Sequence, residues 1–281
     1  MIRRAALLGL LAVLACASPA KPPPVIAASI PPLASIAEFL VAGRFPVVSV
    51  LPSGRSPHDY EPTPSEIDRV RGAVLLIYVH PQIDGWMVRA ARGVIGENAP
   101  LVGMAETPMA AGRDPHLWLD LDVVRVFVPR LAGELASVDP AGADIYLARS
   151  RAFLDTLRVI DEEAARVLGP VGSAPFAIHH PAFDAFVRRY GLNLVAVLEK
   201  HPEGEALPHS LGDAALRLER EGARVLFAEP QLSSRTAKAL AADLHAKVAL
   251  LDPLGGAYAP GRETYFDLLR WNVRQLAENL R

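Results

Sequence analysis

Short apolar runs alternate with longer amphipathic segments from residue 25 to the end of the chain. The runs are continuously apolar rather than alternating, which is typical of parallel strands covered on both faces. The predicted strands are Val25–Ile30, Val47–Leu51, Ala73–Val79, Leu101–Met104, Pro175–Ile178, Leu194–Leu198, Arg224–Ala228 and Lys247–Leu251. Between them the periodicity predicts helices at Ala34–Val41, Pro64–Arg71, Asp84–Gly93, Asp122–Leu135, Phe183–Tyr190, Ser210–Glu221, Ser233–Leu244 and Arg262–Leu280, with Ser233 or Ser234 as the cap of its helix.

The longest periodic segment runs from about residue 141 to residue 168 and ends at Gly169-Pro170. Its buried stripe is predicted at Tyr146, Ser150, Phe153, Leu157, Ile160, Ala164 and Val167. Such a helix would be roughly 40 Å long, enough to cross a whole lobe. We therefore predict an α/β fold with two lobes of mainly parallel sheet flanked by helices, joined by one long rigid helix. The expected units are residues 25–138, 139–170 and 171–281, after a leader and tether at residues 1–24.

Composition supports a sizeable core and excludes one class of partner. The chain has 281 residues, of which 51% are hydrophobic, and 29 basic residues nearly balance 31 acidic ones. No long block of like charge is present, so the sequence offers no basic face for nucleic acid, and we expect no nucleic-acid partner.

The first residues predict export from the cytoplasm. Arg3 and Arg4 precede an apolar stretch, Ala5–Ala15, that is too short to span a bilayer. Cys16 is the only cysteine and stands where a bacterial lipoprotein would be cleaved and lipidated. Ordinary cleavage near residue 17 or residue 20 is the alternative. Either way we expect a periplasmic or otherwise extracytoplasmic protein without a disulfide or a thiolate metal site.

A histidine precedes a well-defined helix start at residues 57–66. Thr63 as N-cap, Pro64 at the first helical position and Glu66 three residues after the cap form a capping box. The prolines of this stretch restrict the backbone on both sides of them, so we expect His58 to be presented on a stiff loop.

Polar residues that can bind a metal follow several predicted strands. In open α/β sheets ligands bind beyond the carboxyl ends of the strands, and His58, His80, His116, His179, His180, Glu229 and Asp252 fall there. Imidazole with carboxylate, without thiolate, suits a divalent transition metal. Neighbouring residues at a strand end point to opposite sides, so only one of His179 and His180 is expected to reach a common centre.

Each of these residues also has a structural alternative. His80, Glu229 and Asp252 could serve only local turns or backbone donors. His201 and His209 lie in a polar loop, either solvated or at the entrance of a site, and the position of His245 near a helix end suits the helix dipole. The motifs of serine hydrolases, P-loop proteins, dinucleotide-binding folds and HExxH zinc proteases are absent from the sequence.

Four segments together resemble one family. PHDYEPTPSE, DPHLWLD, HHPAFDAFVRRYGL and ARVLFAEPQLSSRTAKALA with VALLDPLG are similar to segments of the solute-binding proteins of zinc and manganese ABC importers, the metal-binding cluster A-I. The resemblance covers about residues 25–280. It implies two α/β lobes on one rigid helix, capture of a metal ion in the cleft, and delivery to a membrane permease with its ATPase by a protein expected to be monomeric.

The resemblance also implies a ligand set. Its members are His58 and His116 from the first lobe, with His180 and Asp252 from the second. Three imidazoles and one carboxylate favour Zn²⁺, with Mn²⁺ as the alternative. The segment Glu106–Arg113 lacks the long histidine-rich loop that zinc-type members often carry, and Glu203–Ser210 is irregular against the family pattern.

Two other functions fit parts of the sequence. A metal-dependent hydrolase would need an open coordination position and a carboxylate base, for which Glu229 or Glu205 would be the candidates. An adhesion lipoprotein on the cell surface would be compatible with the same fold.

Overall fold

The structure is a computed structural model that describes residues 24–95, 100–199 and 208–281. The predictions on the leader, the Cys16 anchor, His201, Glu205 and the side chain of His209 lie outside this described part. Within it, no helix combines the length and the apolar character needed to cross a membrane.

The first lobe is built on a parallel four-stranded sheet with the order β2-β1-β3-β4. Its strands are β1 Val25–Ala28, β2 Val47–Ser49, β3 Ala73–Tyr78 and β4 Leu101–Gly103. All four residues of β1 are buried because helices cover both faces of this central strand. The continuously apolar runs therefore predicted the parallel arrangement correctly.

The helices of this lobe are α1 Pro31–Val41, α2 Pro64–Asp68, α3 Pro81–Ile95 and α4 Leu121–Val138. Helix α2 ends three residues earlier than predicted, and α3 starts at Pro81 rather than at Asp84. Asp84 has non-helical backbone angles inside α3. Its buried carboxylate accepts hydrogen bonds from the backbone N–H groups of Val79 and His80 and from the Ser29 hydroxyl, so it closes the loop ahead of the helix.

A single long helix, α5 Ala143–Leu168, joins the two lobes, as predicted. It buries the predicted stripe from Tyr146 to Ala164, and the stripe ends at Leu168, with Val167 half-buried beside it. Helices α1, α4 and α9 pack against it, so α5 is an internal strut rather than a free linker.

The second lobe repeats the strand order of the first as β6-β5-β7-β8, again fully parallel. Its strands are β5 Phe176–Ile178, β6 Leu194–Val197, β7 Val225–Ala228 and β8 Lys247–Leu250. Its helices are α6 Asp184–Tyr190, α7 Pro208–Arg220, α8 Arg235–Asp243 and α9 Tyr265–Asn279.

Hydrogen bonds tie the last part of the chain to the first lobe. The Trp118 indole donates to the Pro253 carbonyl at 2.6 Å, and the Tyr265 hydroxyl donates to the Trp118 carbonyl at 2.7 Å. The backbone N–H of Tyr265 donates to the Ser35 hydroxyl at 2.8 Å. These contacts fix the loops after β4 and β8 against each other, where the two lobes meet.

Candidate metal centre

His58 lies in the loop between β2 and α2, and two contacts hold this loop. The Trp86 indole donates to the carbonyl of Pro57 at 2.9 Å, and the backbone N–H of His58 donates to the Ser56 hydroxyl at 3.3 Å. The predicted capping box is present at the end of the loop, with the carboxylate of Glu66 accepting from the backbone N–H of Thr63 at 2.7 Å. The first lobe thus presents His58 from an anchored loop, and the ring stays half-buried.

His116 follows β4 through a series of tight turns and is only 5% exposed. The carboxylate of Asp114 accepts from its backbone N–H at 3.0 Å and lies 2.5 Å from its ring Nδ1. A carboxylate on Nδ1 holds the proton at that nitrogen, so Nε2 keeps its lone pair for another partner. Asp114 thereby fixes both the orientation and the tautomer of the ring.

His180 comes two residues after β5 and is 2% exposed. Its Nδ1 lies 2.7 Å from a carboxylate oxygen of Glu229, which follows β7, the neighbouring strand. Glu229 therefore fixes the orientation and the tautomer of the His180 ring, as Asp114 does for the ring of His116. The adjacent His179 turns to the other side of the strand, where its Nε2 lies 3.2 Å from a carboxylate oxygen of Glu199.

The rings of His58, His116 and His180 meet at one point. The Nε2 atom of His116 lies 3.2 Å from that of His58 and 2.9 Å from that of His180. One nitrogen from each ring lies within 4.8 Å of the others, and in the described residues this is the group that could hold a metal ion. With Zn–N bonds of about 2.0–2.1 Å, a tetrahedral site places its nitrogens about 3.3 Å apart. The observed spacing fits such an ion.

Burial favours the neutral form of two of these rings, those of His58 and His116. Burial, followed by the neighbouring rings of His116 and His180, lowers the pKa of His58 to about 3. Burial also lowers the pKa of His116, although Asp114 works in the opposite direction. For Asp114, burial alone would raise the pKa of the carboxyl, but its hydrogen bonds with His116 prevail and lower it. Neutral imidazole is the form that binds metal, so His58 and His116 have their metal-binding form at neutral pH.

Asp252 lies at the same seam, but its carboxylate has other partners. It is 2% exposed and accepts from the Arg262 guanidinium at 2.8 Å and from the Gln231 amide at 2.6 Å. The backbone N–H groups of Leu254 and Gly255 each donate to it at 3.0 Å. The structure therefore brings three of the four predicted residues together and places the fourth in a separate ionic and hydrogen-bonded network. As a ligand, Asp252 stays a prediction.

His80 and His245 do not belong to the group formed by the three rings. The ring Nδ1 of His80 accepts a hydrogen bond from the backbone N–H of Gln82 at 3.1 Å. His245 is exposed, and its backbone has a positive φ of 51°. Sequence reasoning gave no role to Asp114 or Gln231. Asp114 could have been found from its position two residues before His116, and Gln231 from its position just after β7.

The chain is similar to known proteins along most of its length. The profile of the family described as "Zinc-uptake complex component A periplasmic" matches residues 26–279. The chain is 24% identical over 268 residues to the manganese ABC transporter substrate-binding lipoprotein PsaA of Streptococcus pneumoniae, covering 88% of this chain and 86% of that protein. It is 22% identical over 271 residues to the high-affinity zinc uptake system protein ZnuA of Bacillus subtilis, covering 89% and 85%.

Solved structures with the same architecture cover nearly all of the chain. A crystal structure of ZnuA superimposes with a TM-score of 0.80 at 25% identity, covering 92% of this chain and all of that one. The laminin-binding protein Lmb of Streptococcus agalactiae, described as having adhesin and metal-transporting activity, gives a TM-score of 0.79 at 25% identity, with 92% and 100% covered.

Proposed function

Because this chain belongs to the family of periplasmic A components of zinc-uptake complexes, we propose that it captures Zn²⁺ between its two lobes and delivers it to an ABC permease with its ATPase. The family consists of substrate-binding proteins of zinc and manganese importers, not of enzymes. The observation that carries the proposal is the meeting of three imidazole nitrogens from two lobes within 4.8 Å. The ion is cargo, so no chemical turnover is needed.

We infer that His58, His116 and His180 are the ligands. These histidines come from both lobes, so a bound ion would hold the two lobes together. Separation of the lobes would then release the ion to the permease. In the structure the carboxylate of Asp252 is paired with Arg262, which balances its charge.

The donor set favours zinc over manganese. Zinc accepts three neutral imidazoles in a compact four-coordinate site, whereas manganese prefers more oxygen ligands and a higher coordination number. Intrinsic affinity in such sites also rises from manganese to zinc. Both metals occur in the names of relatives, so Mn²⁺ is the second candidate cargo.

A direct test is zinc binding by the mature protein made without a metal-affinity tag, followed by competition with Mn²⁺. We expect one Zn²⁺ per chain and expect His116→Ala to weaken binding by more than the roughly 10–100-fold that is typical of changes around a metal site. His80→Ala, which removes a histidine of the same lobe outside the cluster, should bind as the parent does. Equal zinc affinity of the parent and His116→Ala would refute this ligand set.

The relatives support a location outside the cytoplasm, since several of them are named as lipoproteins. Anchoring through Cys16 is part of the proposal and predicts a lipid-modified first residue, which mass spectrometry of the membrane fraction would detect. Replacing Cys16 by Ser should move the protein out of that fraction.

Adhesion is a second candidate because of the similarity to Lmb. It would be seen as saturable binding of the protein to immobilised laminin. The same binding by zinc-free protein and by His116→Ala would separate adhesion from metal capture.

A further inference from the structure

One polar side chain in the cavity of the three histidines has a buried atom without a partner. Gln231 lines this cavity together with His58, His116 and His180. Its amide oxygen Oε1 is fully buried and accepts no hydrogen bond from the described residues. Leaving a buried polar atom unpaired is costly, so such an atom at a binding site calls for a partner that arrives with the ligand.

The orientation of this amide is fixed by Asp252. The Asp252 carboxylate can only accept hydrogen bonds, so the group that faces it at 2.6 Å is the amide nitrogen Nε2. The amide oxygen consequently turns away from Asp252. The Arg262 guanidinium balances the charge of Asp252, and backbone N–H groups hold its position, so the contact to Gln231 is a stable one.

We propose that Gln231 supplies the fourth, neutral oxygen ligand of the captured cation, and that Asp252 orients Gln231 instead of binding the metal itself. This inference rests on the proposed function. It gives the tetrahedral arrangement its missing position without breaking the ion pair between Asp252 and Arg262. It also gives the site only uncharged donors, since the carboxylates of Asp114 and Glu229 contact the Nδ1 atoms of the histidine rings instead of the ion.

Gln231→Met separates this role from that of Asp252. Methionine keeps the length of the side chain but offers no amide oxygen. We expect zinc affinity to fall on the order of 10–100-fold. The melting temperature of the metal-free protein should change little, because removal of the unpaired buried oxygen offsets the lost hydrogen bond to Asp252, which keeps Arg262 and two backbone N–H donors. If Asp252 is the ligand instead, the substitution would free its carboxylate, and zinc affinity would be unchanged or higher.

Gln231→Glu serves as the rescue variant, since it keeps an oxygen at the same reach. Because it also replaces the N–H group that donates to Asp252 by a second carboxylate oxygen, we expect it to bind zinc more weakly than the parent but more tightly than Gln231→Met. It should also raise the affinity for Mn²⁺ relative to Zn²⁺, because manganese favours carboxylate oxygen. Gln82→Met, at an exposed position of the first lobe, is the matched control and should behave as the parent.

The possible outcomes test the role of Gln231 separately from the proposed function of zinc capture. A parent protein that takes up no zinc, or whose binding does not depend on His116, overturns the proposed function. Zinc binding that depends on His116 but is unchanged in Gln231→Met overturns only the role of Gln231. Gln231→Met could also bind zinc more weakly because its metal-free form is destabilised, without recovery of zinc binding in Gln231→Glu. That result would mean that the Gln231 amide has only a structural role, and it would likewise overturn the role of Gln231 as a ligand.

Discussion

The two lobes have the same strand order but present their histidines in different ways. In the second lobe, His180 comes two residues after a central strand, is buried, and has a carboxylate on its Nδ1. In the first lobe, His58 comes nine residues after the edge strand β2 and is half-buried. Its ring has no carboxylate hydrogen bond within the described ranges.

Under the proposed function, this difference would separate a preorganised ligand, His180, from an adjustable one, His58. A ring at a strand end, held by Glu229, would already have its binding orientation before the metal arrives, so little ordering would remain. A ring on a loop can follow the opposite lobe as the cleft opens or closes. His116 combines both features, since it lies on a loop but is held by Asp114.

The largest effect that tests this contrast is expected at Glu229. Glu229→Gln removes the charge that favours the Nδ1–H tautomer of His180, and zinc affinity should fall by about 10–100-fold, equal to about 1.4–2.7 kcal/mol. Isothermal titration or competition with a chelator would measure it.

Glu199→Gln is the matched control for this change. Glu199 lies beside His179, on the other side of the same strand end, so its replacement should leave zinc affinity unchanged. Equal losses in the two variants would mean that general charge in the second lobe matters, rather than the orientation of His180.

A smaller effect is expected from the acid response of His58 in the metal-free protein. Its pKa of about 3 in the folded state lies below the 6.5 of a free histidine, so in this window the unfolded chain binds a proton that the folded chain does not. The free energy of unfolding should therefore fall as pH decreases from about 6.5 towards 3. Between pH 7 and pH 5 the loss is at most about 2 kcal/mol, and less because part of the ring faces solvent.

Urea unfolding of the metal-free protein at both pH values measures this loss. His58→Gln should flatten the pH dependence, since glutamine does not titrate. A variant that keeps the full slope of the parent would assign the acid sensitivity to other groups.

Most of the fold could be reasoned from the sequence because the signals of its strands and helices are local. Strands covered on both faces are continuously apolar, and the stripe of α5 repeats at helical spacing, so their pattern is visible without tertiary information. His58, His116 and His180 are recognisable because they stand at strand ends or beside a helix start. Their convergence was predicted from the motifs of a family, and the structure shows it.

The features that could not be predicted from the sequence depend on contacts between separate segments of the chain. Asp252 and Arg262 are ten residues apart, yet only the folded loop shows that they form an ion pair. Gln231 gains its place in the cavity from the packing of β7 against β5 and from a hydrogen bond to a third segment. Asp84 likewise interrupts the helical geometry of α3, and its hydrogen bond with Ser29, far away in the sequence, is visible only in the fold. Sequence spacing does not determine which of several polar groups becomes the hydrogen-bond partner of a given side chain.

The smallest predicted effect compares two helix starts, one in each lobe. Thr63 caps α2, with its hydroxyl accepting from the backbone N–H of Glu66 at 3.4 Å, whereas Ser234 occupies the N-cap of α8 without a side-chain cap hydrogen bond. Both residues are candidate caps by composition, but only Thr63 has the glutamate three residues later that completes a capping box. We expect Thr63→Ala to cost about 0.5–1 kcal/mol, which lowers the melting temperature by about 1–3 °C. Ser234→Ala should change it by less than the error of a thermal scan, and equal shifts in the two variants would show that the reciprocal contact with Glu66 adds nothing to α2.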